Sequence, residues 1–204
     1  MRPDWRRWPG VLFGEQGMDD GIPLFHMEEI SKRYGGVRAL ENASLTVKSG
    51  RVHAILGENG AGKSTLIKIM SGVVAPDQGR MALDGKDVSF ADPAAANAAG
   101  IVCIFQELSL IPHLSVADNI VVSNPPTRLG MIDRRAQRQI AEEALARAGG
   151  EDIHPMALVQ DLPLSRRQII EIAKALARKP RLLILDEATS ALTASDVAKV
   201  FSVL

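Results

Sequence analysis

A chain of 204 residues has room for one domain of ordinary size, and with 46% apolar and 24% charged residues it can bury a core and lies far from the composition of a disordered segment. Its 24 basic and 24 acidic side chains cancel, which excludes a global field drawing it to nucleic acid or anionic lipid by charge alone, and its one cysteine, Cys103, excludes a disulfide framework or a cysteine-rich zinc site. No apolar run reaches the ~18–20 residues that span a bilayer, so any membrane contact is expected to be peripheral.

Residues 1–22 hold both tryptophans but no apolar block of signal-peptide length, and they are predicted to be a disordered extension, with Met1, Met18 and Met27 as alternative starts. Phe25 to Tyr34 and Ala43 to Val47 read as short strands on either side of the turn-forming pair Gly35 and Gly36, which predicts antiparallel pairing. Three compact apolar runs, Val52 to Leu56, Ile101 to Phe105 and Leu182 to Leu185, have the length and composition of strands buried on both faces of a parallel sheet. Cys103, in the second run, is expected to be a small buried residue of its strand. Between the first two runs come a helix from Lys63, two short strands near Met81 and Val88, and a helix from Pro93 to Ala99, so helices alternate with buried strands as in α/β folds. From Ser109 to Lys179 the pattern turns helical, broken by Pro125 and Pro126, with Asp133 as an N-cap ahead of an apolar stripe of Ile140, Ala144, Leu145 and Ala148. Ser195 to Leu204 carries apolar residues at helical spacing, a pattern expected to continue past the end of this chain.

GENGAGKST, Gly57 to Thr65, fits G-x-x-x-x-G-K-[ST], follows the run VHAIL and opens the helix STLIKIM. Gly57, Gly60 and Gly62 permit a tight turn, so that the N–H groups of the loop, Glu58, Asn59 and Ala61 included, converge on phosphate oxygens at a helix N-terminus. Lys63 is expected on the β- and γ-phosphates, the Ser64 hydroxyl on Mg²⁺, and Thr65 on a phosphate nearer the sugar. In RLLILDEATSALT an apolar run meets paired carboxylates. Taken alone, such a pair marks the point where a buried strand reaches solvent. Beside a phosphate loop it gains a second reading, in which Asp186 orients Mg²⁺ and Glu187 polarises the attacking water.

These segments, together with Gln106 after IVCIF and LPLSRRQ at Leu162 to Gln168, resemble in order and spacing the ATPase domain of ABC transporters, from Phe25 to Leu204. The resemblance implies an α/β fold of the P-loop NTPase class, with a RecA-like parallel core, an antiparallel β subdomain and a helical subdomain at about 109–179, the whole spanning 23–204. It implies that Gln106 is the glutamine that contacts Mg²⁺ and water and links nucleotide state to the membrane partner. It also implies that Tyr34 stacks on adenine, against the plainer reading of a partly buried tyrosine on an edge strand. Ser190 to Thr193 resemble the loop that crosses between paired ATPase domains. Leu162, Pro163, Leu164, Ser165 and Arg166 stand where the family has its signature LSGGQ, and proline offers no N–H while the lost glycines forbid close approach to phosphate. VHAILGENGAGKSTLIKIMSGV, QELSLIPHLSVADNI and RRQIIEIAKALA are similar to the carbohydrate-importing branch, where two ATPase halves share one chain and the first half pairs a good phosphate loop with a weak signature. No histidine follows Glu187, so the family's switch histidine is not found here. His53 and the other three histidines are read as structural or solvent-exposed.

On that resemblance the chain is expected to be a first ATPase half, truncated at its C-terminus, that binds ATP and Mg²⁺ and hydrolyses ATP for sugar import at the cytoplasmic face of the inner membrane. Its expected partners are transmembrane permease subunits, a second ATPase half and, indirectly, a periplasmic sugar-binding protein, with no nucleic acid. A nucleoside importer, a soluble ABC ATPase acting on DNA or ribosomes, and a non-catalytic nucleotide-binding module are the rival readings. The last is disfavoured by the intact Lys63, Ser64, Asp186 and Glu187, and the second by the lack of heptads or a basic patch.

Overall fold

A computed structural model describes residues 22–186, so Glu187, the Ser190 to Thr193 segment, the Ser195 to Leu204 pattern and most of the N-terminal extension lie outside the described residues. The chain divides after Ala99 into two compact units.

The first unit is built on a four-stranded antiparallel sheet in the order β2-β1-β3-β4, formed by β1 (Phe25–Tyr34), β2 (Val37–Val47), β3 (Gln78–Leu83) and β4 (Lys86–Val88). Alternation on β1 sends Phe25 and Met27 into the core, both fully buried, while the tight turn at Gly35 brings Tyr34 opposite Val37. β1 is an interior strand of this sheet, but its pairing with β3 ends at Ser31, so at Tyr34 it is paired on the β2 side alone. The Asp84–Gly85 pair, both with positive φ, makes the two-residue turn between β3 and β4. Helix α1 (Lys63–Met70) buries Leu66, Ile67, Ile69 and Met70. Helix α2 (Pro93–Ala98) starts on an Asp92 side-chain cap with proline in its first turn.

Val52 to Leu56 departs from the expected buried strand. Residues 51–55 belong to no described ladder, and Val52 and Leu56 are 69% and 57% exposed. Apolarity favours a strand only where neighbouring strands supply the ladder and the covering layer. The described parallel ladder joins β5 (Ile101–Ile104) to β8 (Leu182–Leu185), both in the second unit.

In the second unit, α3 (Val116–Val121), α4 (Arg134–Arg147) and α5 (Leu164–Ala177) pack with β5 around one apolar core that includes Val102, Val116, Ala141, Leu145, Ile169 and Ile172. Asp133 caps α4 by accepting from the N–H groups of Arg135 and Ala136, and Ser115 caps α3. A two-residue hairpin, β6 (Thr127–Arg128) and β7 (Met131–Ile132), follows the proline pair. Cys103 is only half-buried in β5, and burial together with the Asp186 carboxylate pushes its thiol up to about 12. The thiolate, the reactive form, is therefore scarce at neutral pH. Native-state alkylation of Cys103 at pH 8 should run at least ~10-fold slower than that of an unhindered cysteine, a ratio measurable by mass spectrometry.

Candidate functional site

The phosphate loop has the conformation its glycines permit. Gly60 and Gly62 take φ of 86° and 85°, in the left-handed region closed to most side chains, and Gly62 is the N-cap residue of α1. At Gly62 sterics add a second requirement, because a Cβ would lie 2.6 Å from the Ala39 carbonyl oxygen and from Leu40 Cδ2. Gly62→Ala should therefore cost about 2–3 kcal/mol through left-handed strain plus overpacking, read as a lower urea midpoint at an unchanged slope.

Two short bonds set the loop's shape: Ala61 N–H donates to the Glu58 carbonyl at 3.1 Å, and Leu66 N–H donates to the Gly62 carbonyl at 2.9 Å as the first helical bond of α1. Lys63 turns back on the loop, its Nζ donating to the carbonyls of Gly57 at 2.5 Å and Glu58 at 2.9 Å. An ammonium has three N–H donors, so one remains for a phosphate oxygen. No acidic side chain occupies the first turn of α1 and no side chain caps it, which leaves the positive end of the helix to an incoming anion. Ser64 is exposed and Thr65 half-buried beside it, while Gly57, Glu58, Asn59 and Gly60 are exposed. In the same unit Tyr34 is 45% exposed, with Lys32 Nζ over one face of its ring, 5.8 Å from the centroid. His53 accepts from the Lys48 N–H, and burial, helped by Arg51 and Lys48, lowers its pKa.

The second unit carries Gln106 and Asp186. Gln106 is exposed just beyond β5, and Asp186, half-buried, follows β8 with its N–H on the Ile104 carbonyl at 2.9 Å. Register pairing of Ile104 with Leu185 thus brings the chain past Gln106 and the carboxylate of Asp186 to the same end of one parallel ladder, where α/β folds bind ligands. No group of three or more histidine, cysteine or acidic residues able to hold a metal exists among the described residues. Ser64 in the first unit and Asp186 in the second each carry a hard oxygen donor, the ligand type that suits Mg²⁺, an ion that keeps waters and phosphate oxygens as most of its ligands.

The segment Leu162 to Arg166 is organised for bracing. Pro163 is the N-cap of α5 and makes no side-chain cap, Leu164 is 56% exposed, and Arg166 pairs with Asp152 at 2.7 Å. Arg167 donates to the carbonyls of Leu162 and Gln160, both at 2.8 Å. Sequence reasoning missed the polar cluster in which the buried Glu171 and Lys174 hold the exposed Ser109. Glutamate and lysine three residues apart on a helix read as a solvated pair, and only their burial sets them apart.

A family described as ABC transporter matches residues 40–190. The chain is 78% identical over 187 residues to the ribose import ATP-binding protein RbsA 1 of Mesorhizobium japonicum, covering 92% of this chain and 36% of that protein. It is likewise 78% identical over 182 residues to the protein of that name from Rhizobium johnstonii, covering 89% and 36%. The chain thus spans 36% of the length of these curated relatives. Among solved structures, cbiO1 of Clostridium perfringens, part of the ABC transporter complex cbiONQ, matches with a TM-score of 0.74 at 28% identity, over 89% of this chain and 72% of that one.

Proposed function

The chain belongs to the ABC transporter family, and from that premise we propose that it binds Mg-ATP on Gly57–Thr65 and hydrolyses it to drive sugar import through a membrane permease. The observation that carries the proposal is the left-handed Gly60–Gly62 turn opening α1, with Lys63 folded into it and no acid competing for the helix end. Lys63 and the loop N–H groups hold the β- and γ-phosphates, Thr65 a phosphate nearer the sugar, and Tyr34 the adenine face. Ser64, Asp186 and Gln106 are the donors assigned to Mg²⁺ and its waters, and the metal when bound offsets phosphate charge. Glu187, next to Asp186, polarises the attacking water. The products are ADP and phosphate.

Leu162 to Arg166 offers no N–H at Pro163, its Arg166 is engaged with Asp152, and the next residue, Arg167, with backbone carbonyls, so it makes a poor lid for a γ-phosphate. The facing signature is assigned to a second ATPase half, and closure of the two halves around ATP to the stroke that moves the permease. No helix among the described residues is long and apolar enough to cross a membrane, and we place the chain peripherally, on the cytoplasmic face beside its permease. Names of relatives at 78% identity point to ribose or a related sugar as the cargo. Reconstitution of the complete transporter in vesicles, with uptake of labelled ribose and labelled uridine compared, tests this. ATP-dependent ribose uptake is expected; uptake of uridine alone, or hydrolysis with no sugar uptake, would refute the assignment to sugar import.

A further inference from the structure

Two buried charged side chains of helix α5 reach the exposed Ser109, just beyond Gln106 in the chain. The side chains of Glu171 and Lys174 are 9% and 8% exposed, and their charged atoms stand 3.8 Å apart, too far for a direct hydrogen bond. Ser109 closes the gap. Its hydroxyl donates to Glu171 Oε1 at 2.5 Å and accepts from Lys174 Nζ at 2.7 Å. The backbone of the same residue is held as well, its N–H donating to Glu171 Oε2 at 3.2 Å and its carbonyl accepting from Lys174 Nζ at 2.9 Å. Every polar atom of Ser109 is therefore engaged by α5.

Downstream the chain is fixed a second time. Asn119, fully buried on α3, accepts from the Ile111 N–H at 2.7 Å and donates to the Ile111 carbonyl at 3.0 Å. Upstream, Ile104 is locked in the β5–β8 ladder. Gln106 thus lies in the short span 105–108, between a strand end and the Ser109 anchor. Burying two charges is a poor way to gain stability, since an apolar pair of like volume does as well or better. What the charges do accomplish here is to hold one residue's backbone in a single place.

We infer that Glu171 and Lys174, acting through Ser109, are positioning residues that fix the Gln106 span on the middle of α5, so that the span and that helix move as one piece. The inference rests on the role of Gln106 in ATP turnover given above. Burial lowers the pKa of Lys174, opposed by the Glu171 carboxylate and aided by Arg178.

The test uses the complete, permease-associated ATPase with Ser109→Ala, Ser109→Thr and Lys174→Met, each alone and combined with Gln106→Ala. Ser109→Ala and Lys174→Met should lower kcat for ATP by about tenfold or more with KM within about twofold, while Ser109→Thr, which keeps the hydroxyl, stays within about threefold. In the Gln106→Ala background the same changes should lower kcat by less than about twofold more, because they act through a residue already removed. Losses that multiply with Gln106→Ala, or wild-type turnover by folded Ser109→Ala, would overturn the inference. Should Lys174→Met fail to fold, Ser109→Ala decides. Amide hydrogen exchange separates this result from a failure of the ATPase reading. Exchange at 105–109 should quicken about tenfold or more in Ser109→Ala whether or not ATP is hydrolysed, and unchanged exchange overturns the latch by itself.

Discussion

Lys63→Ala should raise the dissociation constant for Mg-ATP by about a hundredfold or more while leaving the fold intact. The lysine supplies charge-assisted hydrogen bonds to phosphate oxygens, each worth ~1.5–3 kcal/mol, and loss of ~3 kcal/mol is about a hundredfold in affinity. A second effect works in the same direction, because Lys63 also ties together the carbonyls of Gly57 and Glu58. Without it the loop loses an internal brace, and its N–H groups no longer converge as a prearranged set. Calorimetric titration reads both effects, and the Lys63→Arg variant separates them in part by restoring charge with a different shape. Wild-type affinity in Lys63→Ala would remove Gly57–Thr65 from the nucleotide site.

Glu187→Gln in the complete ATPase should keep ATP affinity within about twofold and lower turnover by about 10²–10⁴-fold, the range for loss of a general base. The amide is isosteric, so it fills the same volume and still accepts one hydrogen bond, yet it cannot take up a proton from water. Asp186→Asn should act differently. It removes a charged Mg²⁺ partner, so both metal dependence and affinity shift, and a magnesium titration of turnover distinguishes the two carboxylates. Turnover by Glu187→Gln within twofold of wild type would reject the assignment of this residue as the base.

The phosphate loop was legible because its information is local. Glycines at fixed offsets specify the turn, and the left-handed Gly60 and Gly62 bear out that conformation. Asp133 was legible for the same reason, since a capping side chain bonds to N–H groups two and three residues ahead. Val52 to Leu56 shows the limit: its apolarity stated that it could be buried, but a strand is made by its neighbours, and no described ladder takes in residues 51–55. The β6–β7 hairpin escaped notice because two-residue strands carry no period. Ser109, Glu171 and Lys174 escaped because their meaning lies in contacts 62 and 65 residues apart along the chain. The signature departure at Pro163 was readable at once, whereas the bracing of Arg166 and Arg167 on Asp152, Leu162 and Gln160 was not.

The central claim, that Gly57–Thr65 is a triphosphate site, is tested most directly by equilibrium binding of ATP, ADP and AMP in the presence of Mg²⁺ to this chain and to its Lys63→Ala variant. With the loop and the end of α1 assigned to the β- and γ-phosphates, ATP and ADP should bind at one site per chain and AMP at least about a hundredfold more weakly, with the preference lost in the variant. AMP binding as tightly as ATP, or an ATP affinity indifferent to Lys63, would contradict the account.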